Sequence, residues 1–266
     1  MALKACNGRA EPPRGGFLLG LMVAVAALMG CAAHPPSPDS TDVSATPWAT
    51  ASVSSGTTGT SGQWKHQEFP GKQATLYRYD RMDGRDTVLA QSSSSASVLR
   101  QVVRVEAAEL GHLRFSWKVP ALIRTANLRD RDLSDSPVRV VLAFDGDRSK
   151  FSARDAMLSE LAHALTGEPM PYATLMYVWG NQISPGTVLH NTRTSRIRKL
   201  VMESGPGKVS QWLEYERDVR ADFEKAFGEP PGALVSIGIM TDTDNTRSTA
   251  TAWYGPIRHV SVKDAP

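Results

Sequence analysis

The stretch LRFSWKV, residues 113 to 119, constrains the fold more than any other. Leu113, Phe115, Trp117 and Val119 alternate with Arg114, Ser116 and Lys118, the period of an extended strand with one face in a core and the other in water. Further strand candidates are SVLRQVVRV (97–105), PVRVVLAF (137–144), YATLMYVW (172–179), SRIRKLVM (195–202), ALVSIGIM (233–240), TATAWYG (249–255) and PIRHVSV (256–262). They are too short and too numerous for a doubly wound α/β fold, and strands and helices do not alternate. Two helical segments interrupt them. SARDAMLSELAHALTG opens with Ser152 and Asp155 at capping-box spacing, carries Leu158, Leu161, Ala162 and Leu165 on one face, and stops at Gly167 and Pro169. YERDVRADFEKAFGEPP aligns Val219, Phe223 and Phe227 before Gly228, Pro230 and Pro231. Both stripes are expected to cover an edge or end of a sheet. The expected architecture is mainly β: a two-sheet antiparallel β-sandwich with two accessory helices, a small barrel being the alternative.

The first thirty residues carry an address. Lys4, Arg9 and Arg14 precede the apolar run FLLGLMVAVAALM, Phe17 to Met29, which ends at Gly30-Cys31. The run is too short for an ordinary membrane span and fits a secretory h-region. LMGC, Leu28 to Cys31, resembles a bacterial lipobox, so residues 1–30 are expected to be a lipoprotein signal peptide and Cys31 the lipidated residue. Plain secretion with a free Cys31 is the alternative. Ala32 after the cysteine leans toward the outer membrane, on its periplasmic face. Residues 31–63 are rich in Ser, Thr, Pro, Gly and Ala, too poor in apolar groups to repay ordering; they are expected to be a tether. Residues 64–266 then form one domain with a single core. The other cysteine, Cys6, lies in the leader, which excludes a disulfide, a cysteine nucleophile or a thiolate metal site in that domain. The formal charge of +3 falls to +1 once three leader bases and Glu11 are removed. No basic stripe interleaved with aromatics is present, and no nucleic acid partner is expected.

The candidate chemistry gathers in TDTDNT, residues 241 to 246. An EF-hand counted from Asp242 fails: position 6 is Arg247 rather than Gly, and position 12 is Trp253 rather than Glu. Three readings stay open. The loop can be a turn, since Asp and Asn accept backbone N–H groups. It can recognise a ligand, with Asp242, Asp244 and Asn245 taking hydroxyls and an outward Tyr254 stacking on a sugar ring. It can bind a cation, with Asp242 and Asp244 among the oxygen ligands of calcium and a second loop, Asp130 to Asp135, completing the shell. Acid–base work by Asp242 and Asp244 is a lesser option; in an extended segment their Cβ atoms would be about 7 Å apart, near the spacing of glycosidase carboxylates. His190, in GTVLHNTRTS, is the best loop histidine for the rim of a polar cleft. No histidine pair has metal-ligand spacing, no serine lies in a G-x-S-x-G elbow, and SGPGK lacks P-loop spacing.

Several segments together resemble one family. DGRDTVLAQSSSSASVL (83–99), LRFSWKV, DSPVRVVLAF (135–144), YVW (177–179), Trp212, FGEPP (227–231) and IMTDTDNTRSTATAWYGPI (239–257) are similar to the DUF3047 family of uncharacterised bacterial secreted or lipid-anchored proteins. The resemblance covers residues 64–262 and implies a jelly-roll or lectin-like β-sandwich, with almost no chemistry. The chain departs from the family pattern in two places. It has spaced acids, Asp130, Asp132 and Asp135, where the family often has an adjacent pair, and Pro256 where the family has an aspartate. From all this the chain is expected to be a membrane-anchored envelope protein that binds a glycan or another envelope component. A saccharide hydrolase using acidic residues and a purely structural or interaction protein are the alternatives.

Overall fold

The computed structural model describes residues 43–52 and 63–264, so the expected signal peptide, residues 1–30, and Cys31 lie outside the described residues. The protein is mainly β. Its strands are β1 (Trp64–Glu68), β2 (Leu76–Met82), β3 (Arg85–Ser93), β4 (Ser97–Val105), β5 (His112–Lys118), β6 (Ser136–Phe144), β7 (Ala173–Gly180), β8 (Val188–His190), β9 (Ile197–Ser204), β10 (Trp212–Asp218), β11 (Leu234–Asp242), β12 (Thr249–Tyr254) and β13 (Arg258–Val260). The helices are α1 (Pro47–Ala51), α2 (Ala153–Thr166) and α3 (Val219–Phe227).

The strands form two sheets. The larger runs β1-β4-β11-β6-β7-β9-β8 and the smaller β10-β5-β12-β3-β2, with β13 paired to β5. Neighbours are antiparallel with one exception: β7 and β9 run parallel. A β8 segment follows β7 and pairs antiparallel on the far side of β9, so the expectation of purely antiparallel pairing is corrected at that edge.

One hydrophobic cluster draws on both sheets. From β5 it takes Leu113, Phe115 and Trp117, as the alternation predicts. From the larger sheet it takes Leu99, Ile239, Val140, Tyr177 and Leu200, which are cross-strand neighbours in register. Phe115 stacks on Tyr177 with ring centroids 5.4 Å apart, a contact between sheets. Because side chains alternate along each strand, the residues between these point to the opposite face of the larger sheet.

Helix α3 behaves as its sequence predicts. Asp218 caps it by accepting from the Ala221 amide, Gly228 ends it at φ 71°, and Val219 and Phe223 are buried, Phe223 lying 4.7 Å from Phe144 between ring centroids. Helix α2 has the predicted Ser152 cap and left-handed Gly167, but not the predicted packing. Leu161 and Leu165 are 53% and 60% exposed, and the buried positions are Asp155 and Ser159. Polar contacts hold this helix instead. Asp155 accepts from the Ser195 amide at 3.1 Å, the Ser195 hydroxyl at 2.6 Å and the Thr194 hydroxyl at 2.5 Å.

The tether expectation is corrected over residues 43–52, a described part of that segment. Within it, Thr46 caps α1, and Trp48 is completely buried against Trp64, ring centroids 4.6 Å apart. Ser52 accepts from the Ile257 amide at 3.1 Å. A single large aromatic thus fixes a segment whose composition is otherwise that of a linker.

Candidate functional site

The outward face of the larger sheet forms the floor of a cleft of about 510 Å³. The register sets out its rows. Arg100, Gly238, Val141, Met176 and Lys199 follow one another from β4 to β9, and Met240 and Arg139 begin the adjacent row. Gly238 keeps the floor low, since a Cβ there would lie 2.8 Å from Val98 Cγ1. Two small apolar clusters rise at the sides: Ala96, Val98 and Met240 with Phe69 and Val141, and Leu128, Val178, Ile183, Leu189 and Val201 with Met176.

At the centre is a buried ion pair. Arg139 donates from Nε to Asp242 Oδ1 at 2.7 Å and from Nη2 to Asp242 Oδ2 at 2.8 Å, the bidentate geometry that guanidinium and carboxylate favour. The two side chains are 3% and 5% exposed. Asp242 also accepts from the Ser136 amide at 3.1 Å, and Arg139 Nη2 donates to the Ser134 carbonyl at 2.6 Å. Burial pushes the Asp242 carboxyl upward, against the opposing pull of Arg139. Beside them Lys199 is buried, lines the cleft and donates to Ser134 Oγ. Desolvation, then the nearby Arg139 charge, bring its ammonium down to about 7, with Asp242 and Asp135 pulling the other way.

The TDTDNT segment is tied to the loop that precedes β6. Asp135 accepts from the Thr246 amide at 2.7 Å, the Thr246 hydroxyl at 2.6 Å and Asn245 Nδ2 at 2.9 Å. Asp244 takes Lys72 at 2.5 Å. The turn reading therefore describes most of what these side chains do, with Asp135, from the acidic loop before β6, as the partner. Carboxylate oxygens of Asp135, Asp242 and Asp244 nevertheless lie within 4.8 Å of one another, a donor set suited to a hard cation such as calcium.

Of the residues nominated from sequence, Asp242, Asp244, Asn245 and His190 all line the cleft. Tyr254 does not. It points into the core with no exposed surface, donating its hydroxyl to the Met240 carbonyl at 2.7 Å and accepting from the Arg139 amide at 3.2 Å. Its neighbour Trp253 takes the outer side and donates to Asp80 at 2.9 Å. Trp253 and Tyr254 must face opposite sides of β12, and the core claims the tyrosine. The outward, sugar-stacking Tyr254 is thus overturned. Arg139 and Lys199 were missed, because a charged residue at an outward strand position reads as ordinary surface until loops cover it, and Ser134 because a loop serine carries no signal of its own.

Solved structures with some likeness include endoglucanase 3 of Trichoderma harzianum from family GH12, at 8% identity, covering 76% of this chain and 93% of that one with a TM-score of 0.40. The xyloglucanase domain of NopAA, a type three effector from Sinorhizobium fredii in complex with cellobiose, matches at 7% identity over 76% and 97% of the two chains, TM-score 0.33. A loop-swap mutant of Xyn11A from Necallimastix patriciarum matches at 10% identity over 72% and 89%, TM-score 0.34. Likenesses this weak say nothing of the chemistry of this chain. No curated protein matches it. Residues 62–258 match the family described as "Protein of unknown function (DUF3047)", and the chain belongs to that family.

Proposed function

We propose that this is a cell-envelope binding protein whose cleft takes an acidic saccharide. The observation that carries the reading is the charge of the cleft. Lys72, Arg100, Arg129, Arg131 and Arg193 line it in addition to Arg139 and Lys199, against Asp130, Asp242 and Asp244. That is a clear cationic excess over a floor of valine, alanine and methionine, suited to a ligand with apolar faces and anionic substituents. Phe69 is the aromatic residue of the lining, so recognition leans on charge and hydrogen bonds more than on ring stacking. In this reading the two sheets form a lectin-like sandwich, and lipid on Cys31 holds the domain at the periplasmic face of the outer membrane.

Calorimetry with acidic and neutral envelope saccharides at two salt concentrations tests the reading. The acidic ligand should bind, lose affinity with salt, and weaken when Arg100 or Lys72 is changed to Ala. Equal binding of neutral and acidic ligands, or none by a folded domain, removes the proposal.

A second reading, hydrolysis of such a saccharide, draws on the carboxylate oxygens of Asp135, Asp242 and Asp244 lying within 4.8 Å of one another. That approaches the carboxyl separation of about 5–5.5 Å in retaining glycosidases. Against it, Asp242 is held by Arg139 and Asp135 by the Asn245 and Thr246 groups. Release of reducing ends that disappears in Asp244→Asn would favour it; binding without turnover would leave the first reading alone.

A further inference from the structure

We propose that Ser134 and Lys199 form a serine–lysine pair that hydrolyses carboxylic esters in the cleft. The geometry singles out Lys199. A buried lysine is ordinarily paired with a carboxylate, and two carboxylates are near. Both are committed elsewhere: Asp242 to Arg139 in bidentate fashion, and Asp135 to Asn245 and Thr246. Among the described residues, Lys199 donates a hydrogen bond to the Ser134 hydroxyl. Both residues line the cleft, so the hydroxyl is within reach of a ligand on the sheet floor.

The other requirement of acyl transfer is a donor for the oxyanion. Arg139 has its Nε and Nη2 engaged with Asp242 and the Ser134 carbonyl, while Nη1 meets the Met176 sulfur at 3.8 Å. A thioether is a weak acceptor, which leaves one cationic N–H without a strong acceptor on a guanidinium whose Nη2 touches the Ser134 carbonyl. Burial and the neighbouring Arg139 on β6 ease the proton off Lys199, while Asp242 on β11 and Asp135 before β6 oppose this, with a balance at about 7. A general base serves best near the working pH.

The steps balance without a cofactor. Neutral Lys199 Nζ accepts the Ser134 proton as Oγ attacks the ester carbonyl carbon, and the carbonyl π electrons move to the oxygen, to which Arg139 Nη1 is the assigned donor. Collapse breaks the bond to the alcohol, which leaves with the proton from Lys199. Water, deprotonated by Lys199, then attacks the Ser134 ester; collapse breaks the bond to Oγ, which takes the proton back from Lys199, releasing the carboxylic acid and restoring serine and neutral lysine.

The full chain is treated with a fluorophosphonate probe and, separately, with p-nitrophenyl acetate between pH 6 and 9. The expected result is a covalent adduct at Ser134 by peptide mass spectrometry, and a kcat/KM for the ester that rises with pH. Ser134→Ala should lose the adduct, and both Ser134→Ala and Lys199→Arg should lower kcat/KM by about 100-fold or more, with thermal melting showing that each is folded. Arginine keeps the charge but cannot act as the base. An unmodified Ser134 in folded protein across that pH range, or ester hydrolysis that survives Ser134→Ala, overturns the pair. These probes contain no saccharide, so the outcome is separate from the glycan-binding reading.

Discussion

Replacing Lys199 with methionine should make the protein more stable at low pH, and by an amount that depends on pH. The lysine lies on the outward face of β9 next to Met176 and Leu189 in register, yet it is only 7% exposed. Its folded pKa of about 7 compares with 10.5 for an ordinary lysine. At about 1.4 kcal/mol per pKa unit, keeping the ammonium charged in the fold costs roughly 5 kcal/mol. Below pH 7 both folded and unfolded chains carry the proton, and the whole penalty is present. Between about 7 and 10.5 the unfolded chain is protonated and the folded one is not, so wild-type stability rises with pH. Methionine has similar length, packs among apolar neighbours and removes the charge. It should gain about 1–4 kcal/mol at pH 6, the range for replacing buried ionic groups by apolar ones, and little at pH 10. Urea unfolding of both proteins at pH 6, 8 and 10 reads this out. A variant less stable than wild type at pH 6, or an offset independent of pH, would show that Asp242 and Asp135 hold the ammonium after all.

Three further substitutions test other parts of the structure. Asp242→Asn leaves Arg139 charged, buried and without its carboxylate, and should cost about 3–5 kcal/mol in urea unfolding; a loss below 1 kcal/mol would mean that water reaches the pair. For Asp155, burial alone would raise the carboxyl, but hydrogen bonds from Ser195, Thr194 and Ser152 outweigh it and bring it to about 2. Its contribution is therefore present above about pH 4 and fades as pH falls toward 2, so Asp155→Asn should be destabilised by about 1–3 kcal/mol at pH 6 and show a flatter acid limb in thermal melts. Trp48→Ala, emptying a fully buried site against Trp64, should lower stability by about 3–5 kcal/mol; an unchanged urea midpoint would return residues 43–52 to the status of a loose tether.

What could be read from the sequence follows from where periodicity is informative. Several core strands were legible because one or both faces are buried: β4 matches SVLRQVVRV residue for residue, and β5, β6, β7 and β11 fall within a few positions of their predicted segments, whereas β3, buried from Thr87 to Ala90, was not among the candidates. β10 was not, because WLEYERD sits at a sheet edge and is nowhere fully buried. Strand β2 is likewise mostly half-buried or exposed and carries Arg78, Asp80 and Arg81. The α2 stripe misled for a different reason. Helical spacing reports which residues can share a face, but the Asp155 contacts decided which face was turned inward. At the candidate site, the spacing of Asp242 and Asp244 drew notice while the partner that shapes their loop, Asp135, lies more than a hundred positions away.

Lys199 and Arg139 show why the remainder of the site was hidden. On a sheet with one solvated face, a charge at an outward position is cheap and carries no signal. Here that face is not left open. Leu128 and Ile183, from segments between strands, pack over Val178 and Val201 at one side, and Phe69 packs over Val98, Met240 and Val141 at the other. These walls turn two surface cations and an aspartate into buried groups, and desolvation then lowers the Lys199 ammonium and raises the Asp242 carboxyl. A fold selected for stability alone would place apolar residues there, as the Lys199→Met argument implies. Retaining a lysine that burial penalises, at the floor of a cleft and against a serine, is the pattern of stability given up for chemistry.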